Sequence, residues 1–389
     1  MNDTLVSLCQ ELVRQRSYSG EEADAVSAAR RFWESRDLDD FRVDSYGNCI
    51  AVVTGNRPGP TLLFDAHIDT VPAVKDQWTT DPWAAEIRDG KIYGRGTSDM
   101  KGAFASMLWA AAEFEKERKG DFAGKICVSG VVHEECFEGV SARMISEALK
   151  PDLVVIGEAS SLNLKIGQRG RAEIIVETFG HNAHSANPEK GRNAVYDMAE
   201  LISRIRTLDT PEQPELGKGI LELTDIKSDP YPGASVVPHY CRATIDRRLL
   251  VDETPESVLA PLRSLVSELS RQDSGFRAEV SLSDGKASCY TGKTIEGERF
   301  FPGWYYPEDA EFVRRALKGI RSAGIDPEIT TYSFCTNGSH YAGEAKIPTL
   351  GFGPSRENLA HTVDEYIEID QLEKAFKGYR GIMNEFSVW

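Results

Sequence analysis

Thr61-Leu62-Leu63-Phe64-Asp65-Ala66-His67-Ile68-Asp69-Thr70-Val71-Pro72 is a short apolar run, Thr61 to Phe64, that ends in polar residues. Three other runs have the same form: Lys125 to Val132, Leu153 to Ile156 and Pro348 to Phe352. Runs of this length, separated by helical patterns such as Ala103 to Glu115, predict buried parallel strands in an α/β domain. Polar residues follow each run. His67 and Asp69 come after the first, Glu134 and Glu135 after the second, Glu158 after the third, and His361 lies on the loop beyond the fourth. Open α/β sheets bind ligands outside the carboxyl ends of their strands, so these groups can converge although they are far apart in sequence.

Outward from these runs the pattern changes. Between about Lys165 and Ser283, alternating strands (Ala172 to Thr178, Ser235 to Arg248, Phe276 to Leu282) mix with helical stretches at Asn193 to Thr207 and Pro255 to Gln272, which predicts an inserted α+β domain. Gly, Pro and aromatic residues dominate Ser288 to Pro307, and a helical run from Glu308 to Ser322 returns the chain to the first domain. A length of 389 residues also favours two cores over one. The expected division is a discontinuous domain of residues 1–166 and 290–389 around an insertion of residues 167–289. The start, Met1 to Arg16, puts Leu5, Leu8, Leu12 and Val13 on one helical face and has no basic leader, so it predicts an amphipathic surface helix rather than a secretory signal.

Composition narrows the function classes. Apolar residues are 41% and charged residues 27% of the chain, a globular profile, and no segment approaches the roughly 18 continuous apolar residues of a membrane span. A net charge of −16 disfavours nucleic acid and anionic membranes as partners. The seven cysteines are scattered and never form C-x-x-C, which argues against a disulfide framework or a thiolate zinc site and fits a reducing cytoplasm.

The chemistry lies in three stretches. In His67-Ile68-Asp69 an imidazole can bind a metal through one nitrogen while Asp69 accepts the other N–H and fixes the tautomer. Gly94-Arg95-Gly96-Thr97-Ser98-Asp99-Met100-Lys101-Gly102 precedes a helix, so Asp99 is either an N-cap or a carboxylate shared by two cations. The two roles compete for the same oxygens; if Asp99 bridges, Ser98 or Thr97 is expected to take over the capping. His133-Glu134-Glu135 sets two carboxylates side by side at a strand end, where they repel unless cations or protons intervene.

Taken together, the order H-x-D, G-x-x-D-M-K-G, E-E, G-E and A-H, with a domain inserted before the last element, resembles the co-catalytic zinc aminoacylase and carboxypeptidase family. Acetylornithine deacetylase, succinyl-diaminopimelate desuccinylase and bacterial glutamate carboxypeptidase belong to it. The resemblance covers nearly the whole chain. A narrower likeness, to a branch of selenium-metabolism-linked hydrolases, is carried by Gly167-Gln168-Arg169-Gly170-Arg171, Ile245-Asp246-Arg247-Arg248-Leu249 and Thr336-Asn337-Gly338.

The resemblance implies a mixed, mostly parallel sheet with helices on both faces as the catalytic domain, and a ferredoxin-like lid that mediates a homodimer. It implies one metal held by His67, Asp99 and Glu158 and another by Asp99, Glu135 and His361, with Glu134 as general base and Asp69 in support. An all-N/O donor set suits two zinc ions, and also cobalt or manganese. His184, in Gly180-His181-Asn182-Ala183-His184, matches the lid histidine that reaches a partner subunit's site. Arg248 fits the lid's D-x-R pattern and is the candidate fork for a substrate carboxylate; Arg247 points to the other strand face. Asn337, Ser339 and Gly353 complete the expected substrate-binding set. Many relatives carry an acidic turn where this chain has Gly338-Ser339-His340, so the substrate is not carried over from any one member. The expected activity is hydrolysis of an amide, peptide or ureido bond in a small carboxylate-bearing substrate such as an N-acyl amino acid, dipeptide or carbamoyl amino acid, with Glu134 taking a proton from metal-activated water. Phosphoester hydrolysis uses similar metal pairs but lacks a basic clamp here, and a metal-binding relative without turnover is the alternative of another class.

Overall fold

The computed structural model describes residues 4–387. They form two compact units. One holds the chain up to Gln168, Lys286–Gly297 and the chain from Tyr305 onward; the other holds Arg169–Gly285 and Glu298–Trp304. Residues 1–3 of the expected N-terminal helix lie outside the described residues. The helix itself, Leu5–Arg14, starts at Thr4, whose hydroxyl accepts the Ser7 N–H, and it buries Leu5, Leu8, Leu12 and Val13.

A mixed sheet organises the first unit. Its strands lie in the order Phe41–Val43, Cys49–Thr54, Ala123–Val131, Arg57–His67, Leu153–Ile156, Thr349–Gly351 and Leu164–Gln168, and Ile329–Tyr332 pairs with the last of these. The centre is parallel: Leu63 lies opposite Cys127 on one side and Val154 on the other, and Leu350 opposite Val155. Helices cover both faces, which is why the central strands read as continuous apolar runs. Leu62 and Phe64 pack into a core with Phe104 and Leu108 of helix Gly102–Arg118 and Tyr379 of helix Ile369–Phe386. Leu63, Cys127 and Val154 pack on the opposite face with Ala142 and Ile145 of helix Ala142–Leu149. Each large side chain so buried contributes roughly 1.5–3 kcal/mol. Parallel direction has a further consequence, because the Arg57–His67, Ala123–Val131 and Leu153–Ile156 strands all end at the same edge, with His67 paired to Val131.

The second unit is an antiparallel sheet in the order Ile220–Asp229, Tyr240–Leu249, Gly170–Phe179 and Ala278–Leu282. Buried and half-buried residues alternate strictly along Tyr240–Leu249, the period of a sheet covered on one face. Helices Ala194–Ile205 and Pro255–Gln272 supply Leu201 and Leu262 to the core beside Ile174, Val176 and Ile245. The strand expected from Ser235 begins at Tyr240 instead; Pro238, inside that stretch, has no N–H for the ladder. No described helix is long and apolar enough to cross a membrane.

Candidate metal centre

His67 is the last residue of its strand and is buried. Its Nδ1–H donates to the main-chain carbonyl of Asp69 at 2.9 Å, which turns Nε2 toward Asp99 Oδ1 at 2.8 Å and Glu158 Oε1 at 3.6 Å. The tautomer is therefore fixed by the Asp69 backbone and not, as expected, by its carboxylate, which lies 3.7 Å from Nδ1. That carboxylate is occupied elsewhere. Its Oδ1 accepts the Glu134 N–H at 3.0 Å, and its Oδ2 accepts the Glu135 N–H at 3.2 Å and the Ser19 hydroxyl at 2.7 Å. Asp69 thus holds the loop that carries both glutamates.

The two glutamates diverge from a short helical turn, Glu134–Cys136, after His133 adopts a left-handed conformation. Ligand atoms of His67, Glu134 and Glu158 lie within 4.8 Å of one another, as do those of His67, Asp99 and Glu135. Glu135 meets His361 Nε2 at 3.0 Å, and His361 Nε2 is 3.2 Å from Asp99 Oδ2. The six side chains therefore form one cluster, in which His67 and Glu158 group with Glu134, expected as the base, and His67 groups with Asp99 and Glu135, so the cluster is not divided into the two expected triads. Asp99 faces a different imidazole with each of its oxygens.

Asp99 does not cap the helix that follows. Helix Gly102–Arg118 has no side-chain cap; Thr97 donates to the Gly94 carbonyl, and the Ser98 hydroxyl bonds Ser355 and the Tyr366 carbonyl. The free amides of the turn go instead to Glu365, a buried carboxylate that the sequence reading did not single out. Its only signal in sequence is a place four residues after His361.

Electrostatics bear the mark of a cation site. Burial pushes Glu158 up to about 8, aided by repulsion from Asp99. Burial likewise raises Glu135 and, most strongly, Glu134, with further repulsion from Glu158 and Glu135. Burial would raise Asp99 too, but hydrogen bonds from His361 and His67 hold it below the usual carboxylate range. His361 is pushed up to about 10 by its bonds to Asp99 and Glu135. Cations placed among these carboxylates would relieve their mutual repulsion. Glu134 Oε1 is buried with no hydrogen-bond partner. The N/O donor set, the crowded carboxylates and this orphaned oxygen fit a pair of hard or borderline divalent cations.

The remaining candidates lie elsewhere in the frame. Asn337 is buried, donating to Asp65 at 2.9 Å and accepting the Gly139 N–H. Ser339 is buried against Gln168 and Cys335, and Gly353 bonds Ser160 and Leu162 through its main chain. The polar groups of these three are thus already bonded within the protein. A side chain at Gly353 would strike the Gly157 carbonyl, so the glycine is a packing requirement. His340 bridges Ser146 at 2.6 Å and Glu344 at 2.8 Å. In the second unit, His184 is exposed and its Nδ1 accepts the Ala186 N–H. Arg248 is half-buried and pairs with Asp246 at 2.8 Å, while Arg247 lies on the buried face of the strand against Glu253.

An α/β sheet that sets His67, Glu134, Glu135 and Glu158 just at or beyond the ends of its parallel strands, with Asp99 and His361 brought to them on turns, has the side chains of a metal-dependent hydrolase. The sequence pattern of Peptidase family M20/M25/M40 matches residues 63–385, and the chain belongs to that family. It is 32% identical over 364 residues to the uncharacterized protein YgeY of Escherichia coli K12, covering 92% of this chain and 88% of YgeY. It is 30% identical over 396 residues to a succinyl-diaminopimelate desuccinylase of Cereibacter sphaeroides, covering 98% of each. The crystal structure of the YXEP protein of Bacillus subtilis, a dinuclear metal binding peptidase, superposes with a TM-score of 0.72 at 14% identity, covering 99% of this chain and 98% of that one.

Proposed function

We propose that this chain hydrolyses an amide, peptide or ureido bond in a small carboxylate-bearing substrate: an N-acyl amino acid, a dipeptide or a carbamoyl amino acid. His67, Asp99 and Glu158 would hold one divalent cation and Asp99, Glu135 and His361 a second, zinc first with cobalt or manganese able to replace it. Such cations, when bound, supply Lewis acidity toward a carbonyl oxygen and make water easier to deprotonate. Glu134 receives that proton at its unpartnered Oε1 and delivers it to the leaving nitrogen. Asp69 holds the Glu134 and Glu135 amides and so keeps the base and the ligand apart.

The observation that carries this reading is the division of Asp99, one oxygen toward His67 and the other toward His361. The similarity to a succinyl-diaminopimelate desuccinylase and to a dinuclear metal binding peptidase supports it. The unit of residues up to 168, 286–297 and 305 onward would be the catalytic domain, and the unit of residues 169–285 and 298–304 the lid. Homodimerisation is supported by the Ile220–Asp229 strand, which stands at the edge of its sheet with Ile220, Leu223 and Ile226 exposed. Reduced thiols at all seven cysteines suit a cytoplasmic enzyme. A hydrolysis screen of the three substrate classes with zinc, cobalt and manganese, paired with elemental analysis, tests the reading. Two ions per chain are expected in the wild type and none in Asp99→Ala; a fully loaded Asp99→Ala rules out the shared carboxylate.

A further inference from the structure

Glu365 is fully buried, and its carboxylate accepts four hydrogen bonds from one turn. Oε2 accepts Arg95 Nη1 at 2.6 Å and the Gly96 N–H at 3.1 Å; Oε1 accepts the Ser98 N–H at 2.7 Å and the Asp99 N–H at 3.1 Å. Its own carbonyl accepts the Gly94 N–H at 2.9 Å. One carboxylate therefore does for this turn what a capping side chain does for a helix, and does it from 266 residues away at Asp99. The turn is shaped to let it. Gly96 sits at φ +86°, where a Cβ would meet Thr70 at 2.8 Å, so only glycine brings the amide round to Glu365.

We infer that Glu365 is a positioning residue for the metal centre: by taking the turn's amides it frees both oxygens of Asp99 to face His67 and His361. The inference rests on the proposed metal pair. An aspartate in an amide-rich turn ordinarily spends an oxygen on a nearby N–H. Here the Asp99 amide and its neighbours are saturated from outside, and the side chain is left for the imidazoles. Glu365 is also four residues beyond His361, so the segment that supplies one ligand to the second cation also orients the ligand shared by both. Outer partners of this kind typically change metal affinity by about 10–100-fold when altered.

The test uses full-length Glu365→Gln, in which the amide NH₂ must confront Arg95 or the turn's own N–H donors. Zinc and cobalt affinities are measured by chelator competition, the cobalt visible spectrum is recorded, and the fold of the metal-stripped protein is followed by circular dichroism and thermal melting. A positioning role predicts a folded metal-free protein, both cation affinities lowered by about 10–100-fold, and an altered cobalt spectrum. If Gln beside Arg95 does not fold, the Arg95→Gln/Glu365→Gln pair, which removes both buried charges, is read in its place with the same expectation. A folded variant that melts lower but binds both cations within about twofold of the wild type, with an unchanged cobalt spectrum, leaves Glu365 a merely structural residue and overturns the inference. A wild type that takes up no cation overturns the metal pair itself, which is a different result.

Discussion

At the scale of single residues, Glu134 and Glu135 are neighbours in sequence with separate surroundings: Glu134 lies by His67 and Glu158, Glu135 against His361. Glu134→Gln keeps the shape of the side chain and removes its capacity to take a proton. It is expected to bind both metals, melt as the wild type does and lose turnover by about 10² to 10⁴, whereas Glu135→Gln should lose metal as well. Metal stoichiometry and turnover measured on the two variants decide this. A metal-depleted Glu134→Gln beside a metal-replete, inactive Glu135→Gln would reverse the roles. The residues that cluster here, His67, Asp99, Glu134, Glu135, Glu158 and His361, were legible through the motif order that resembles the family's, and their roles at a metal pair are the proposal made above. Their supports were not, since they work through main-chain groups: the Asp69 carbonyl that turns His67, and the amides that Asp69 and Glu365 hold. Pattern alone also could not tell that Asn337 and Ser339 spend their polar atoms inside the core.

Between elements, a second buried acid ties the start of helix Ala23–Glu34 to the loop that carries Glu134 and Glu135. Glu22 Oε1 accepts the Gly20 N–H at 2.9 Å and the His133 N–H at 3.2 Å, while Oε2 is buried without a partner. Burial, with the charge of Asp69 added, pushes its carboxyl up from 4.5 to about 7. The unfolded chain releases this proton first, so stability falls as pH rises from 4.5 to about 7 and stays reduced above it. Glu22→Gln keeps the acceptor and removes the charge. Above pH 7 the variant is expected to be more stable than the wild type by on the order of 2 kcal/mol, the gap closing toward pH 4.5. Denaturant melts of the metal-free proteins across that range check it; parallel pH curves would show that Glu22 stays ionised at no cost. Elements themselves were legible where one period dominates. Helix Pro255–Gln272 follows its pattern from end to end, and Leu153–Ile156 is a run buried on both faces. The Ile220–Asp229 strand was not foreseen, because a mostly exposed edge strand carries no strong apolar alternation.

On the scale of the whole molecule, the two units were visible as a change of hydrophobic period, but their border was not. Glu298–Trp304 belongs to the second unit because Phe300 pairs with Ala172, a link that two strand residues in an aromatic stretch do not announce. The unforeseen edge strand bears on assembly. It leaves one row of backbone groups without a neighbouring strand and exposes Ile226 at 47%, Ile220 at 41% and Leu223 at 36%. An edge of that length and character is usually blunted by charge or covered by another chain. If a second copy covers it in an isologous pair, Leu223→Lys/Ile226→Lys sets like charges against each other across the two-fold axis and should shift the protein from dimer to monomer in sedimentation. Each monomer should still bind the proposed cations, since His67, Asp99, Glu135, Glu158 and His361 all lie in the first unit. The proposed action of His184 in a partner's site then makes a second demand. The monomer should lose turnover, and mixing His184→Ala with Glu134→Ala chains of otherwise wild-type sequence should restore it, since each heterodimer assembles one complete site. Random pairing makes half the dimers mixed, so about a quarter of wild-type activity is the expected ceiling. A monomeric double-lysine variant with full turnover would leave the dimer without a catalytic role, and an unchanged sedimentation coefficient would remove this edge as the interface.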